Sequence, residues 1–382
     1  MSIAKTPITV IGAGIAGLAV ATSLAQRGAR VTVLEQAAEL GEVGAGLQIS
    51  PNGVAVLEAL GLRERAAMLA NTPEAVSLRD MADGREVARL PMGETAVKRW
   101  GRPYWQFHRA DLLGLLAMGA REAGVEIKLG QRIDSIAGIA GLVIAADGVR
   151  SGVRSEIFGG QPAQFTGQVA WRGLIPADAV PGRIANAATV YMGPGRHLVT
   201  YPLRGGSMIN FVAVEERKEW VDEGWNVPDS PDNLRAAFAG AAPDVTGLLK
   251  RVEETFLWGL FNHPRLPEWH KGKVALIGDA CHPMLPFLAQ GAVMALEDAW
   301  VLAQELDRRG IVEGLAEYER RRKPRATRVQ KAAATNATAY HLRDRTLRGV
   351  AHFGLSTVSR FAPSALLGKF DWLYGVDVTK GE

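Results

Sequence analysis

Residues 12–17 read Gly12-Ala13-Gly14-Ile15-Ala16-Gly17, the GxGxxG spacing that lets a backbone wrap a pyrophosphate. Gly12 permits the tight turn, Gly14 the close approach of backbone to phosphate, and Gly17 the packing of helix on strand. Free N–H groups and the helix dipole favour negative charge there. Glu35 follows 18 residues after Gly17, at the end of the next strand-like run, where a carboxylate accepts hydrogen bonds from ribose hydroxyls and repels a 2′-phosphate. With this turn alone, FAD and NAD fit equally well.

A second segment, from Lys273 to Ala299, decides between them. The apolar run Lys273–Gly278 reads as a buried strand, and Asp279 stands at its carboxyl end, where parallel sheets bind ligands and where a carboxylate can bond a polyol. Pro283 and Pro286 stiffen the loop that follows. Gln290-Gly291-Ala292 then opens a helix whose free N–H groups suit an electron-rich ring oxygen. A dinucleotide needs only the first motif. A cofactor with a ribityl chain and a tricyclic ring needs a second wall, and this segment supplies one, so the expected cofactor is FAD.

The elements that must position these residues are legible as periodicity. Pro7–Gly12 reads as a short buried strand, Ile15–Gln26 as a helix and Arg30–Glu35 as the next strand: a βαβ unit, and so a parallel sheet. Pro51–Leu60 and Arg109–Ala123 read as helices, Val125–Leu129 and Leu142–Ala146 as strands, and Ser77–Leu90 as a hairpin around Asp83-Gly84. From Val169 to Val214 strand-like segments alternate with Gly/Pro turns, which predicts an antiparallel sheet of a different class. After Gly291 the pattern is mostly helical. The expected fold is therefore α/β: a Rossmann-type FAD-binding domain with a parallel sheet, an inserted and mostly antiparallel β substrate domain, and a helical C-terminus. The boundaries predicted are 1–72, 101–165 and 262–345 for the FAD-binding domain, 73–100 and 166–261 for the substrate domain, and 346–382 for the tail.

Bulk composition excludes several classes. With 382 residues, 47% hydrophobic and 22% charged, a sizeable core and two domains are available. A net charge of +4 favours an anionic substrate or a phosphate-bearing cofactor and is too mild to argue for nucleic acid. The single cysteine, Cys281, permits no intrachain disulfide and no thiolate metal cage, and it fits a reducing, cytoplasmic setting. Thr6–Gln26 lacks charge but splits into strand and helix, and Ala280–Leu296 is broken by prolines, so neither reads as a membrane span. No histidine pair has metal-ligand spacing within a carboxylate cluster, so no metal is expected. Arg320-Arg321-Arg322-Lys323, with Glu313, Glu317 and Glu319 nearby, reads as a solvated helix face rather than a binding patch.

The motif Gly278-Asp279-Ala280-Cys281-His282-Pro283-Met284-Leu285-Pro286-Phe287-Leu288-Ala289-Gln290-Gly291-Ala292 resembles the second FAD motif of the single-component flavin aromatic hydroxylases, the p-hydroxybenzoate hydroxylase class. Ala146-Asp147-Gly148 resembles that family's ADG motif, and His108-Arg109-Ala110-Asp111-Leu112 its cofactor-contacting helix start. The run Gly44-Ala45-Gly46-Leu47-Gln48-Ile49-Ser50-Pro51-Asn52-Gly53 completes the set. Within the class the sequence is most similar to the salicylate, 3-hydroxybenzoate and 6-hydroxynicotinate hydroxylases. The resemblance implies that Glu35 binds the adenosine ribose, Arg109 the pyrophosphate or ribityl region, Asp279 the ribityl chain, and Gly291 and Ala292 the pyrimidine end of the flavin. Gln48 and Pro286 then border the cofactor, and the backbone near Ile133 borders adenine. Asp147 either lies near both FAD and the nicotinamide donor or is a turn residue.

On the substrate side, His197 and Tyr201 are four residues apart on a strand and share a face. Their family counterparts line the aromatic pocket. A histidine there removes a phenolic proton, its ordinary pKa lying near working pH; the alternative is a hydrogen-bonded sheet residue. Trp171-Arg172-Gly173 resembles a strand bordering the flavin, and Arg172 or Arg196 can pair with a substrate carboxylate by a fork of hydrogen bonds, or serve in structural ion pairs. Two departures stand out. The link Gln131–Leu142 is shorter than in the family, which implies a trimmed sheet over the adenine side. Gln48 also occupies the place of a histidine in the hydroxynicotinate branch, which argues against a pyridine substrate. The resemblance implies that NADH or NADPH reduces the FAD, O2 forms a flavin C4a-hydroperoxide, and its terminal oxygen goes to a small phenolic acid. The rivals are a flavin monooxygenase with a larger substrate and a non-catalytic FAD-binding protein. The expected assembly is a monomer or homodimer.

Overall fold

The computed structural model describes residues 3–4, 6–41, 45–159, 161–180, 184–220 and 227–380. Gly44, part of the motif named above, lies outside them. A six-stranded sheet runs in the order His270–Lys271, Val274–Leu276, Leu142–Ala145, Pro7–Ile11, Arg30–Leu34, Glu126–Lys128. Every pairing in it is parallel except that of the short edge strand His270–Lys271. Its register matters for function: Ile11 pairs with Leu34 and with Ala145, and Ala145 pairs with Leu276. The chain segments leaving those strands therefore emerge side by side, which puts Gly12, Glu35, Asp147 and Asp279 along one edge. Helix Ile15–Ala25, buried along most of its length, packs between helices Gly291–Arg309 and Arg109–Glu122.

The second sheet has eight strands, in the order Val227–Asp229, Thr255–Asn262, Gln164–Pro176, Met208–Glu216, Arg196–Leu203, Ala187–Gly193, Ala75–Asp80, Glu86–Pro91. It is antiparallel apart from one junction, where Ala187–Gly193 runs parallel to Ala75–Asp80 and so joins the predicted hairpin to the predicted antiparallel block. One face carries Trp171, Ile175, Leu198 and Phe211 beneath Leu234, Phe238, Val245 and Leu249 of two short helices. The opposite face packs Ala170, Val214, Trp258 and Leu260 against Leu285, Phe287 and Ala337, which belong to the half built on the parallel sheet. A small ribbon, Gly46–Ile49 paired with Trp105–His108, bridges the two halves.

No strand forms between Lys128 and Leu142, so this link is a plain connection without a sheet of its own. No described helix is long and apolar enough to cross a membrane. The tail is helical, with Arg345–Phe361, Pro363–Gly368 and Asp371–Tyr374 following the 30-residue helix Ile311–Tyr340.

The reading of residues 320–323 as a solvated face is corrected. Arg322 is 1% exposed and lies between Glu297 and Asp298, and Arg321 pairs with the buried Glu305; Arg320 alone of the three arginines points out, beside Glu317. The acids that compensate Arg321 and Arg322 belong to the neighbouring helix Gly291–Arg309, and no local window of sequence shows that pairing.

Candidate active site

The glycine turn is built by sterics. Gly12 has φ +98°, a left-handed conformation that L side chains rarely adopt, and a Cβ there would lie 2.5 Å from the Ala146 carbonyl oxygen. A Cβ on Gly17 would lie 1.9 Å from the Gly12 oxygen. Gly14, by contrast, has nothing within 4 Å of its Cβ position, which is the open cradle a pyrophosphate requires. Glu35 is fixed across the turn: Oε2 accepts from the Ala13 N–H at 2.7 Å and Oε1 from the Ala37 N–H at 2.9 Å. The Glu35 carbonyl accepts from Gln131 N–H at 2.7 Å, which keeps the segment carrying half-buried Ile133 beside the same edge. Asp147 accepts from the Val153 N–H at 3.3 Å through Oδ2, while its Oδ1 is buried with no hydrogen-bond partner among the described residues. An open cradle and an orphaned buried carboxylate oxygen on one edge fit a nucleotide cofactor. Charge-assisted hydrogen bonds contribute about 1.5–3 kcal/mol. Glu35→Ala is accordingly expected to weaken FAD retention roughly 10- to 100-fold, read as flavin fluorescence released on dilution; unchanged retention would remove Glu35 from the site.

The second wall forms where the sheet edge meets helix Gly291–Arg309. A Cβ on Gly291 would lie 4.0 Å from Asp279 Oδ1, so the carboxylate and the helix start face one space. Burial pushes the Asp279 carboxyl above its usual range, against the opposing pull of His282 and Arg109. Burial likewise pulls the Arg109 guanidinium down while Asp279 holds it up. Its backbone N–H donates to the Ala45 carbonyl at 2.9 Å, tying that helix start to the ribbon. The loop turns at Ala289, φ +51°, just after the single 3₁₀ turn Pro286–Leu288. Gln290 then anchors the helix, its Nε2 donating to Ser50 Oγ at 3.0 Å. The first intrahelical bond is Met294 N–H to Gln290 O, at 2.8 Å, so the N–H groups of Gly291 and Ala292 precede it and are among the helix-start donors with no intrahelical acceptor. Pro286 is exposed on the same loop.

The substrate side comes from one face of the large sheet. Pairing aligns His197 with Val214, Tyr201 with Asn210, and Val212 with Arg172, which puts His197, Tyr201, Asn210 and Arg172 on the face turned toward the nucleotide half. Asn210 Oδ1 accepts from the Gly46 N–H at 2.6 Å, and a Cβ on Gly46 would strike the Tyr201 ring. Gln48 accepts from the Tyr104 hydroxyl at 2.6 Å. Burial raises the Tyr201 hydroxyl pKa, so it stays a neutral donor. His197 is buried beside Phe287, Tyr340 and His341; burial first, then His341, holds its pKa well below the ordinary histidine value. Of the two arginines, Arg172 is the one on this face: it lies over the Trp258 ring at 5.1 Å, and burial with the nearby Arg109 pulls its pKa to about 10. Arg196 is excluded from the site. It points the other way, over Phe238, and donates to the Ala237 and Ala239 carbonyls, because neighbours on a strand face opposite sides.

Over residues 5–138 and 139–333 the chain matches the family described as FAD binding domain. The chain belongs to this family. The flavoprotein is 36% identical to a 3-amino-4-hydroxybenzoate 2-monooxygenase of Streptomyces platensis, over 97% of this chain and 96% of that one. It is 34% identical to a 3-hydroxybenzoate 6-hydroxylase of Polaromonas naphthalenivorans, over 98% and 97% of the two chains. It is 33% identical to a 6-hydroxynicotinate 3-monooxygenase of Bordetella bronchiseptica, over 87% and 91%. A solved salicylate hydroxylase substrate complex superposes with a TM-score of 0.79 at 26% identity, covering 98% of this chain and 96% of that one. The flavoprotein is thus a monooxygenase of the aromatic hydroxylase class.

Several residues of the flavoprotein's site were silent in its sequence. Asn210 is the one polar residue within the run Met208–Val214, a signal only once that strand's face is known. Tyr104 belongs to no motif. His341 meets His197 across 144 residues of chain. Asp298 fastens the second wall: its Oδ2 accepts from the Gly278 N–H at 3.1 Å and pairs with His282.

Proposed function

We propose that this flavoprotein consumes NADH or NADPH and O2 to hydroxylate a small phenolic aromatic acid of the hydroxybenzoate type. The observation that carries the reading is the single sheet face bearing His197, Tyr201 and Arg172 opposite the edge that bears Asp279 and Gly291. FAD, when bound, supplies the reduction of dioxygen and the delivery of one oxygen atom. The protein's own residues bind, orient and exclude water. Gly14 and its neighbours receive the pyrophosphate, Glu35 the ribose, and Asp279 with Arg109 the ribityl region. Gly291 and Ala292 would donate N–H groups to the pyrimidine end, with Gln48 and Pro286 bordering the cofactor, the backbone near Ile133 by the adenine, and Asp147 near both the cofactor and the nicotinamide donor.

His197 is the base that removes the phenolic proton, raising electron density on the carbon to be hydroxylated. Arg172 pairs with the substrate carboxylate, and Tyr201 donates from the same face. Gln48 in place of a histidine favours a benzene ring over a pyridine. The domain boundaries, 1–72, 101–165 and 262–345 against 73–100 and 166–261 with a tail at 346–382, belong to the same proposal, as do a cytoplasmic setting and a monomeric or homodimeric state.

The test uses purified holoenzyme, which is expected to be yellow. NAD(P)H oxidation should accelerate with 3-hydroxybenzoate, salicylate or 3-amino-4-hydroxybenzoate, giving a product one oxygen atom heavier by mass. A flavin-loaded protein whose NAD(P)H consumption ignores every hydroxylated aromatic acid tried would sink the proposal.

A further inference from the structure

His197 does not end in the core; it begins a chain of hydrogen-bonding groups that leads out of it. Its Nδ1 lies 2.6 Å from His341 Nε2, and His341 Nδ1 lies 3.0 Å from Glu216 Oε1. Both imidazoles are buried, whereas the Glu216 side chain is 30% exposed and its Oε2 accepts from Arg343 Nε at 3.0 Å. The backbone holds the ends together: Gly195 N–H donates to His341 O at 3.3 Å, and Glu216 N–H to Gly195 O at 2.9 Å.

A carboxylate can only accept, so His341 Nδ1 must carry a proton where it faces Glu216. His341 Nε2 is then a lone pair and takes the Nδ1 proton of His197. That leaves His197 Nε2 as a lone pair, the state a base requires. One competitor faces the same atom: Gln168 Nε2 lies 3.3 Å from His341 Nδ1. Were Gln168 to donate there, every proton in the chain would shift over, and His197 Nε2 would carry hydrogen and lose its basicity. The nearer, charged acceptor prevails.

We propose that Glu216, acting through His341, is a positioning residue that fixes the tautomer of His197 and carries the substrate's phenolic proton to the surface. This rests on the hydroxylase reading above. The phenol O–H bond breaks and its proton goes to His197 Nε2. His197 Nδ1 releases its own proton to His341 Nε2, and His341 Nδ1 releases one to Glu216 Oε1, from which water removes it. One proton enters the chain and one leaves, and the substrate is left as phenolate. The other groups facing the chain are the Tyr340 ring, 5.2 Å from the His197 ring, and Arg343 beside Glu216. Burial keeps His341 below its ordinary pKa, with Glu216 opposing; Glu216, raised by burial, is brought net below its usual range by Arg343 and His341. Both imidazoles are therefore neutral at pH 7, as tautomer relay requires.

The test is long-range 1H–15N NMR of substrate-free holoenzyme labelled with 15N-histidine, the two signals assigned with His197→Gln and His341→Gln. Wild type should show both imidazoles neutral with the proton on Nδ1. Glu216→Leu should move the proton to Nε2 in both, and Gln168→Leu should leave both as in wild type. A proton on Nε2 in the wild type, or tautomers indifferent to Glu216→Leu, overturns the proposal. With 3-hydroxybenzoate and 3-amino-4-hydroxybenzoate as probes, Glu216→Leu should lower kcat at least about tenfold with KM unchanged. Absence of turnover with any aromatic acid in wild type would count against the hydroxylase reading while leaving the tautomer result standing.

Discussion

Replacing His197 by alanine is expected to lower kcat for hydroxylation by about 10²- to 10⁴-fold, the usual worth of a positioned acid or base. FAD content should stay at the wild-type level, because His197 lies on the sheet face and not among the nucleotide-binding loops. The pH dependence separates a base from a packing residue. A base acts in its neutral form, so the rate is present above its pKa and lost as pH falls through it. Burial beside His341 pulls the pKa of His197 well below the ordinary value of about 6.5. The acid limb of kcat/KM should accordingly lie below pH 6.5, with little loss between pH 7 and 6. Stability follows the same sign. The unfolded chain binds a proton at pH 6.5 that the folded His197 refuses, so this group's contribution is full above that pH and declines as acid is added. A His197→Ala enzyme with wild-type kcat at every pH would show that the imidazole only fills space beside Phe287.

How much of this was legible in the sequence depended on the range of the interaction. The glycine turn is a local object: Gly12, Gly14 and Gly17 act within six residues, and Glu35 closes the adjacent strand, so type and spacing suffice. The second wall was also readable, because Asp279, the two prolines and the helix start at Gly291 follow one another along the chain. Faces were half readable. Alternation says that His197 and Tyr201 share a side and that Arg196 takes the other, but only the pairing of Arg196–Leu203 with Met208–Glu216, and of that strand with Gln164–Pro176, says that Arg172 joins them. Long-range pairings were invisible: the parallel junction of Ala187–Gly193 with Ala75–Asp80, the meeting of His197 with His341, and the burial of Arg322 all join segments that no sequence window contains.

Arg322 carries a large expected stability effect, and through it an effect on the second wall. Its Nη1 lies 2.5 Å from Glu297 Oε2 and its Nε 2.7 Å from Asp298 Oδ1, and all three side chains are at most 1% exposed. Arg322→Met keeps much of the volume and removes the charge. Glu297 retains Arg325 and Asn52, but Asp298 is left with His282 and the Gly278 N–H alone. A buried charge stripped of its partner costs about 3–5 kcal/mol, against a total stability of roughly 5–15 kcal/mol for a folded protein. Urea unfolding of Arg322→Met should show a loss of that size. Arg320→Met, on the exposed side of the same helix beside Glu317, should cost under about 1 kcal/mol. Arg322→Lys should recover only part of the loss, since a single ammonium cannot fork between two carboxylates as a guanidinium does. The effect reaches function because Asp298 holds the N–H of Gly278, the residue before Asp279, the carboxylate proposed to bind the ribityl chain. Arg322→Met should therefore release FAD more readily than Arg320→Met under conditions where both remain folded, and equal retention would mean that the ion network steadies the helices without steadying the site.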